Sequence, residues 1–201
     1  PPYGKSWKTD QDRLGGAKKI IDPRFVVTHD GDSEYSLVTR SKDGQLMFLA
    51  NLISKMKQET ELGSRIASVH NGSSLFTGDA GQGESNIRRW IIENDWLEAI
   101  VALPLKMFYN TGIATYVWVL SNRKEERRRG KVQLIDATGW STPLRKNLGE
   151  KGVEVSATDA DRVLEAFTAF DQYDDTDRSK VFDGVDFGYQ KITVERPLRI
   201  V

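Results

Sequence analysis

The sequence predicts an α/β protein, a mixed sheet with an antiparallel strand and helices packed on it. Three observations predict it. Apolar residues recur at helical spacing in separate segments, with strand-like segments between them. Residues 99–103, Ala-Ile-Val-Ala-Leu, form an unbroken apolar run, as expected of a strand covered on both faces. The link from Leu103 to Thr115 is short, which suits an antiparallel neighbour rather than a crossover.

The elements follow in order. The first 45 residues are irregular and rich in Gly, Asp, Ser and Lys, apart from Phe25-Val26-Val27. An opening of that length without periodicity reads as a functional loop or as part of a larger fold. Leu46, Leu49, Leu52, Ile53 and Met56 predict a helix over 45–58, with Gly63 as its stop signal. Arg65 to Val69 alternates weakly and predicts a short strand. A glycine-rich loop, 72–83, leads into a helix over 84–94 with Ile87, Trp90 and Ile91 on one face. The strand 99–103 ends at Pro104, and the β-branched and aromatic residues of 115–120 make the next. A charged turn, 123–131, precedes a strand over 132–136. Thr158 with Asp161 is a capping signal that opens a helix with Val163, Leu164, Phe167 and Phe170 facing inward. From residue 171 the chain is acidic and then strand-like, with Ile192 and Val194 alternating.

Composition narrows the function. Lys plus Arg and Asp plus Glu are both 29, so the net charge is zero, which excludes a strongly basic nucleic-acid domain as a description of the whole chain. The absence of cysteine excludes disulfides, zinc fingers, iron–sulfur clusters and a thiol nucleophile. Two histidines make a His-rich metal site a poor reading. With 38% hydrophobic residues the chain is too apolar to be disordered. No apolar run approaches the ~20 residues that span a bilayer, and the opening lacks signal-peptide character. A cytoplasmic protein without a membrane partner is expected.

The chain begins Pro1-Pro2-Tyr3-Gly4. Two prolines have fixed φ and no N–H, so their carbonyls are free and rigidly held. An aromatic ring follows at once, and the glycine lets the backbone bend away. A rigid carbonyl beside an aromatic face is a receptor for a planar base with an amino group. Acceptors that take both N–H bonds of an exocyclic amine favour a more nucleophilic nitrogen and stabilise the positive charge that develops on alkylation. A base reaches such a pocket by leaving the duplex. Taken alone, the motif also fits a proline-rich tail or a polyproline II ligand.

The rest of the chain resembles the methylation subunit of type I restriction-modification systems, in the N6-adenine DNA methyltransferase family. In that family the catalytic motif reads Asn/Asp-Pro-Pro-Tyr/Phe, and Pro1-Pro2-Tyr3-Gly4 matches its last part. Five further stretches resemble the family in the expected order: Gly72-Ser-Ser-Leu-Phe76 with 78–83, the segment 84–93, the segment 97–104, Phe108-Tyr-Asn-Thr-Gly-Ile-Ala-Thr115 running into 117–120, and Lys131-Val-Gln-Leu-Ile-Asp-Ala137. The resemblance covers about 1–170 and implies a partial Rossmann-like methyltransferase sheet. Residues 1–170 would be the second half of an S-adenosylmethionine-dependent domain, and 171–201 a C-terminal extension. It implies catalytic roles for Pro1, Pro2 and Tyr3, and that an aromatic at Phe108 or Tyr109 helps hold the flipped base. It implies S-adenosylmethionine as cofactor. The implied partners are DNA, a specificity subunit and a restriction subunit that is translocase and nuclease. The family's first catalytic residue would precede Pro1, and its glycine-rich cofactor loop and ribose-binding acid lie further upstream. The expectation is therefore a fragment of a longer subunit, which alone binds cofactor poorly and does not methylate DNA. At Val69-His70-Asn71 the family usually has Val-Leu-Pro, so the chain departs there.

Other candidate sites have plainer readings. The loop 76–83 superficially resembles a cofactor loop, which would make the chain a permuted, complete methyltransferase. It does not directly follow its strand, no acid ends the next strand, and a flexible loop capping the second helix is favoured. Phe108 to Gly112 reads equally as a base-binding rim loop and as an ordinary hairpin with Asn-Thr-Gly turn chemistry. The run 123–131 could touch phosphate but is expected to be a solvated turn. Arg88 and Arg89 are expected on the surface, His70 in a loop, and Trp90, Trp96, Trp118 and Trp140 in packing roles. The competing function is a non-catalytic interaction module that keeps the fold, with the last helix and acidic tail as its surfaces.

Overall fold

In this computed structural model residues 4–30 and 32–196 are described, and the catalytic candidates Pro1, Pro2 and Tyr3 lie outside them. The opening segment contains a short helix, α1 (Lys8–Arg13), and an antiparallel hairpin of β1 (Val26–His29) and β2 (Asp32–Ser36). It is thus less irregular than its composition suggests. Leu37, at the end of the hairpin, is 1% exposed in the core, which fixes the segment to the body of the protein.

Helix α2 (Gln45–Ile53) is shorter than the expected 45–58. Beyond Ile53 the chain continues as single turns, with Met56 N bonded to Ile53 O at 3.0 Å. Met56 therefore still reaches the core at helical spacing without belonging to the helix. Gly63 does not stop the helix. It has φ +61°, and a Cβ there would lie 2.3 Å from Asn122 Oδ1, so it serves the entry to the next strand.

β3 (Arg65–Asn71) runs two residues beyond the predicted strand and carries His70, which is 0% exposed, so the expected loop position is corrected. Two helices follow, α3 (Ser73–Phe76) and α4 (Gly83–Glu93). On α4, Ile87 and Ile91 are fully buried, and with Leu46, Leu49, Trp118 and Leu120 they form the larger core cluster. Trp90 meets Trp96 edge to face at 4.9 Å, a packing role of the kind expected.

β4 (Leu97–Ala102), β5 (Thr115–Ser121) and β6 (Lys131–Asp136) are the strands expected from their apolar runs. A hairpin that the apolar pattern does not show follows, β7 (Thr142–Leu148) with β8 (Lys151–Glu154). Helix α5 (Ala157–Ala169) is capped by a reciprocal box between Ser156 and Asp159, two residues before the expected Thr158 and Asp161. Its buried face carries Ala166, with Val163 and Phe167 partly buried against Val101 and Ile135, whereas Leu164 is 61% exposed. Phe170, at the helix end with φ +59°, is 2% exposed.

The central sheet has the order β3-β5-β4-β6-β9, where β9 is Ser179–Asp183 from the segment after residue 171. β5 is antiparallel to both β3 and β4, β6 is parallel to β4, and β9 is antiparallel to β6. The sheet is mixed, as predicted. The strand-like alternation of Ile192 and Val194 makes no strand, and both are 76% exposed. No helix among the described residues is long and apolar enough to cross a membrane.

Candidate active site

Strand directions place several chain segments at one rim. Asn71 at the end of β3 pairs with Thr115 at the start of β5, Ala102 at the end of β4 pairs with Tyr116, and Asp136 at the end of β6 pairs with Ala102. Ligands of open α/β sheets bind at the carboxyl ends of the parallel strands. Three loops leave this rim: the turn after Asn71, the 103–114 connection and the stretch after Asp136.

The end of β3 is fixed by a polar network. Gln45 Nε2 lies 2.7 Å from Asn71 Oδ1, 2.8 Å from Ser73 Oγ and 2.6 Å from Asp43 Oδ2, while Asn71 N donates to Gln45 Oε1 at 3.1 Å. Gln45 and Asn71 are buried, so the two bonds between them form away from water and hold the strand end in one geometry. Sequence reasoning missed this pair because a glutamine that opens a helix looks like a solvent residue. Beside it, burial pushes His70 down to about 4, so the imidazole is neutral at pH 7. Its ring meets Trp118 edge to face at 6.0 Å.

The 103–114 connection carries Phe108 and Tyr109. Leu103 N donates to Thr115 O at 2.9 Å, which closes the base of the loop, and Pro104 is buried. At the tip Phe108 bridges Thr111, and Ile113 N donates to Thr111 Oγ1 at 3.3 Å. Phe108 is half-buried and Tyr109 is 57% exposed, so Tyr109 presents the freer ring. The β7–β8 hairpin holds this loop. Glu150 N donates to Tyr109 O at 2.9 Å, Gly152 N donates to Lys106 O at 2.9 Å, and Lys151 Nζ stands 5.2 Å from the centroid of the Tyr109 ring. Gly149 has φ +64°, and a Cβ there would fall 2.7 Å from Tyr109 O, so only glycine permits the contact. A Gly-Glu turn with a distant backbone partner leaves no local signature beyond the glycine.

The stretch after β6 begins with Asp136. Its Oδ1 accepts from Thr138 N at 2.9 Å and from the Thr138 hydroxyl, and Arg178 Nη1 stands 3.3 Å from Oδ2. These bonds, the Thr138 hydroxyl first, hold the Asp136 carboxyl below the usual range.

The remaining basic candidates have structural partners. Arg88 is half-buried and donates to Ser74 O at 3.1 Å, which corrects its expected surface position, whereas Arg89 is exposed and pairs with Glu34 and Glu93. In the 123–131 turn Lys124 pairs with Asp95, Arg127 with Glu125 and Arg129 with Glu126, and Arg128 is 2% exposed between Phe167 and Phe170. Those cations are held by protein carboxylates and aromatic rings rather than offered to a phosphate.

The described residues do not fit the main cradle of a nucleoside cofactor. The glycines at 78, 81 and 83 follow the short helix α3 rather than a strand end, and Gly83 is packed against Val38, where a Cβ would lie 2.0 Å from the carbonyl oxygen. β4 ends in Ala102-Leu103-Pro104 with no acid.

A mixed sheet with an antiparallel strand inserted beside its parallel pair, and helices on its faces, is the architecture of methyltransferase-fold structures. The type I restriction-modification methyltransferase subunit from Streptococcus thermophilus superposes with a TM-score of 0.66 over 92% of this chain and 33% of that chain, at 22% identity. A modification subunit of a type I restriction enzyme from Vibrio vulnificus gives a TM-score of 0.58 over 76% of this chain and 30% of that chain, at 17% identity. The N-6 DNA methylase family matches residues 1–192, and the chain belongs to that family. It is 31% identical over 99 residues to the methylase subunit of the type I restriction enzyme MjaIX from Methanocaldococcus jannaschii, covering 49% of this chain and 17% of that protein. It is 38% identical over 88 residues to the methylase subunit of the HindI enzyme from Haemophilus influenzae, covering 44% of this chain and 16% of that protein. The chain thus spans less than a fifth of the length of these curated relatives.

Proposed function

We propose that this chain is part of the modification subunit of a type I restriction-modification system, a cytoplasmic DNA methyltransferase specific for adenine N6. The observation that carries this reading is the family match over 1–192, which begins at Pro-Pro-Tyr-Gly and continues through the rim loops. In this reading the carbonyls of Pro1 and Pro2 accept hydrogen bonds from the adenine amine, and Tyr3 stacks on the extruded base. Phe108 and Tyr109 bound the same pocket from the 103–114 loop. S-adenosylmethionine supplies the methyl group, and the glycine loop 78–83 is not its main binding loop in this reading. The partners are DNA, a specificity subunit that reads the sequence, and a restriction subunit that translocates and cuts. Delegated sequence reading agrees with the zero net charge of the chain.

The test is methyl transfer by the full-length subunit, assembled with its specificity subunit, to duplex DNA. Digestion of the product is expected to yield N6-methyladenine. Base stacking is worth ~1–3 kcal/mol, so Tyr3→Ala is expected to lower transfer by roughly ten- to a hundredfold with cofactor affinity retained. An assembly that binds DNA and S-adenosylmethionine and transfers nothing would instead mark a non-catalytic module that keeps the fold.

A further inference from the structure

We propose that the β7–β8 hairpin, together with Lys106, is a backbone clamp for the DNA strand that carries the target base. The proposal rests on the reading above and assigns a substrate contact to residues that lie beyond the motif and the aromatic loop. The hairpin and the 103–114 loop are one unit, joined by the backbone bonds from Glu150 and Gly152 to Tyr109 and Lys106. Any strand that delivers a base to Tyr109 must run past this unit. Four cations sit on it: Lys106, Arg145, Lys146 and Lys151. Lys106, Arg145 and Lys146 are exposed, and among the described residues none of the four forms a salt bridge. That contrasts with the 123–131 turn, where carboxylates occupy Lys124, Arg127 and Arg129. Two acids, Glu150 and Glu154, lie on the same hairpin and are exposed, so the unit carries a net charge of +2 from four cations and two anions.

The backbone of the hairpin suits the role. Its register slips between Pro143 and Leu148, so the strand carrying Arg145 and Lys146 bulges against its partner. A bulge re-aims side chains out of the plane of a ladder. Lys151, on the opposite strand, is directed over the Tyr109 ring, so cations stand on both strands of a narrow ribbon beside the aromatic tip. Arg and Lys side chains that meet phosphates neutralise them and release their counterions. The contacts position a strand without reading its sequence, as befits a subunit whose specificity resides elsewhere.

The experiment measures DNA affinity of the full-length subunit with its specificity partner as a function of salt, comparing wild type with Arg145→Gln/Lys146→Gln. Each phosphate contact contributes about 0.9 to the slope of log affinity against log salt. The double variant is expected to lower that slope by ~1.8, so that between 50 and 200 mM salt the wild type loses roughly tenfold more affinity than the variant. Arg145→Lys/Lys146→Arg keeps both charges and is expected to keep the slope. If the double variant fails to fold, Lys106→Gln reads the same quantity with a drop of about one contact. A wild type that methylates adenine beside a neutralised variant of unchanged slope overturns the clamp and leaves the methylase reading standing. A neutralised variant that loses its specificity subunit in gel filtration, with its slope intact, assigns the patch to an acidic protein surface and also overturns the clamp. A wild type that binds no DNA overturns both.

Discussion

Arg65, on the outer strand β3, reaches across β5 to Glu98 on β4, with Nε 2.9 Å from Oε2 and Nη2 3.2 Å from Oε1. Glu98 is 0% exposed and sits where the β4–β5 register shifts between Leu97 and Ala99. The bulge points a carboxylate into the sheet, and the arginine from two strands away neutralises it. Arg65→Ala removes the ion pair of that carboxylate, leaving the buried Arg128 as the cation in electrostatic reach, and is expected to lower stability by about 1–3 kcal/mol, read as a shift in urea midpoint. The arginine is half in solvent, so the lower part of that range applies. Arg65→Met/Glu98→Leu, which removes both charges, is expected to recover part of the loss. An unshifted midpoint for Arg65→Ala would show that water replaces the arginine without cost.

Gly83 opens α4 against the backbone of Val38, with the built Cβ position 2.0 Å from Val38 O and 2.8 Å from Thr39 N. Within a helix, glycine to alanine ordinarily stabilises by up to ~1 kcal/mol. Here the neighbour is backbone and cannot swing aside. Gly83→Ala is therefore expected to destabilise by about 1–3 kcal/mol, a change of sign that thermal or urea denaturation detects.

His70 couples stability to pH. Its folded value, about 4, lies below the ordinary 6.5, because burial disfavours the cation. Between those values the unfolded chain binds more protons than the folded one, so the contribution is present above pH 6.5 and lost as pH falls toward 4. The full effect is on the order of 3 kcal/mol. Stability measured at intervals across that window is expected to fall more gently for His70→Gln than for the wild type. Parallel curves would place the proton uptake elsewhere.

Tyr109 presents an exposed ring whose backbone is anchored by the hairpin. In the assembled methyltransferase, Tyr109→Ala is expected to reduce methyl transfer by roughly ten- to a hundredfold, the worth of one stacked base, while the melting temperature stays within a degree or two. Tyr109→Phe keeps the ring and is expected to retain most of the rate. Equal losses in both variants would give the role to the hydroxyl instead of the face.

Four of the five strands of the central sheet were legible because their signals are local; β9 was not placed. The apolar runs of β4, β5 and β6 and the periodicity of α2, α4 and α5 each state their own burial. Where position depended on distant partners, the sequence was silent. The β7–β8 hairpin has Arg, Lys, Asn and Glu where a strand alternates, and its order comes from bonds to Lys106 and Tyr109. Ile192 and Val194 show the converse, alternation with no strand beside them. Within the site, the loop bearing Phe108 and Tyr109 could be assigned to the rim from chain order alone. The Gln45–Asn71 bonds that brace the neighbouring strand end join residues far apart in the chain and could not.

The insertion of β5 between β3 and β4 has a consequence for synthesis. Both flanking strands leave the ribosome before the one that joins them, with α4 already made between them. Until Ser121 has emerged, the nascent polypeptide carries two apolar edges whose hydrogen-bonding groups have no mate. The last-made strand of that trio is a zipper, and the interval before it arrives is when both edges stand open to the wrong partner.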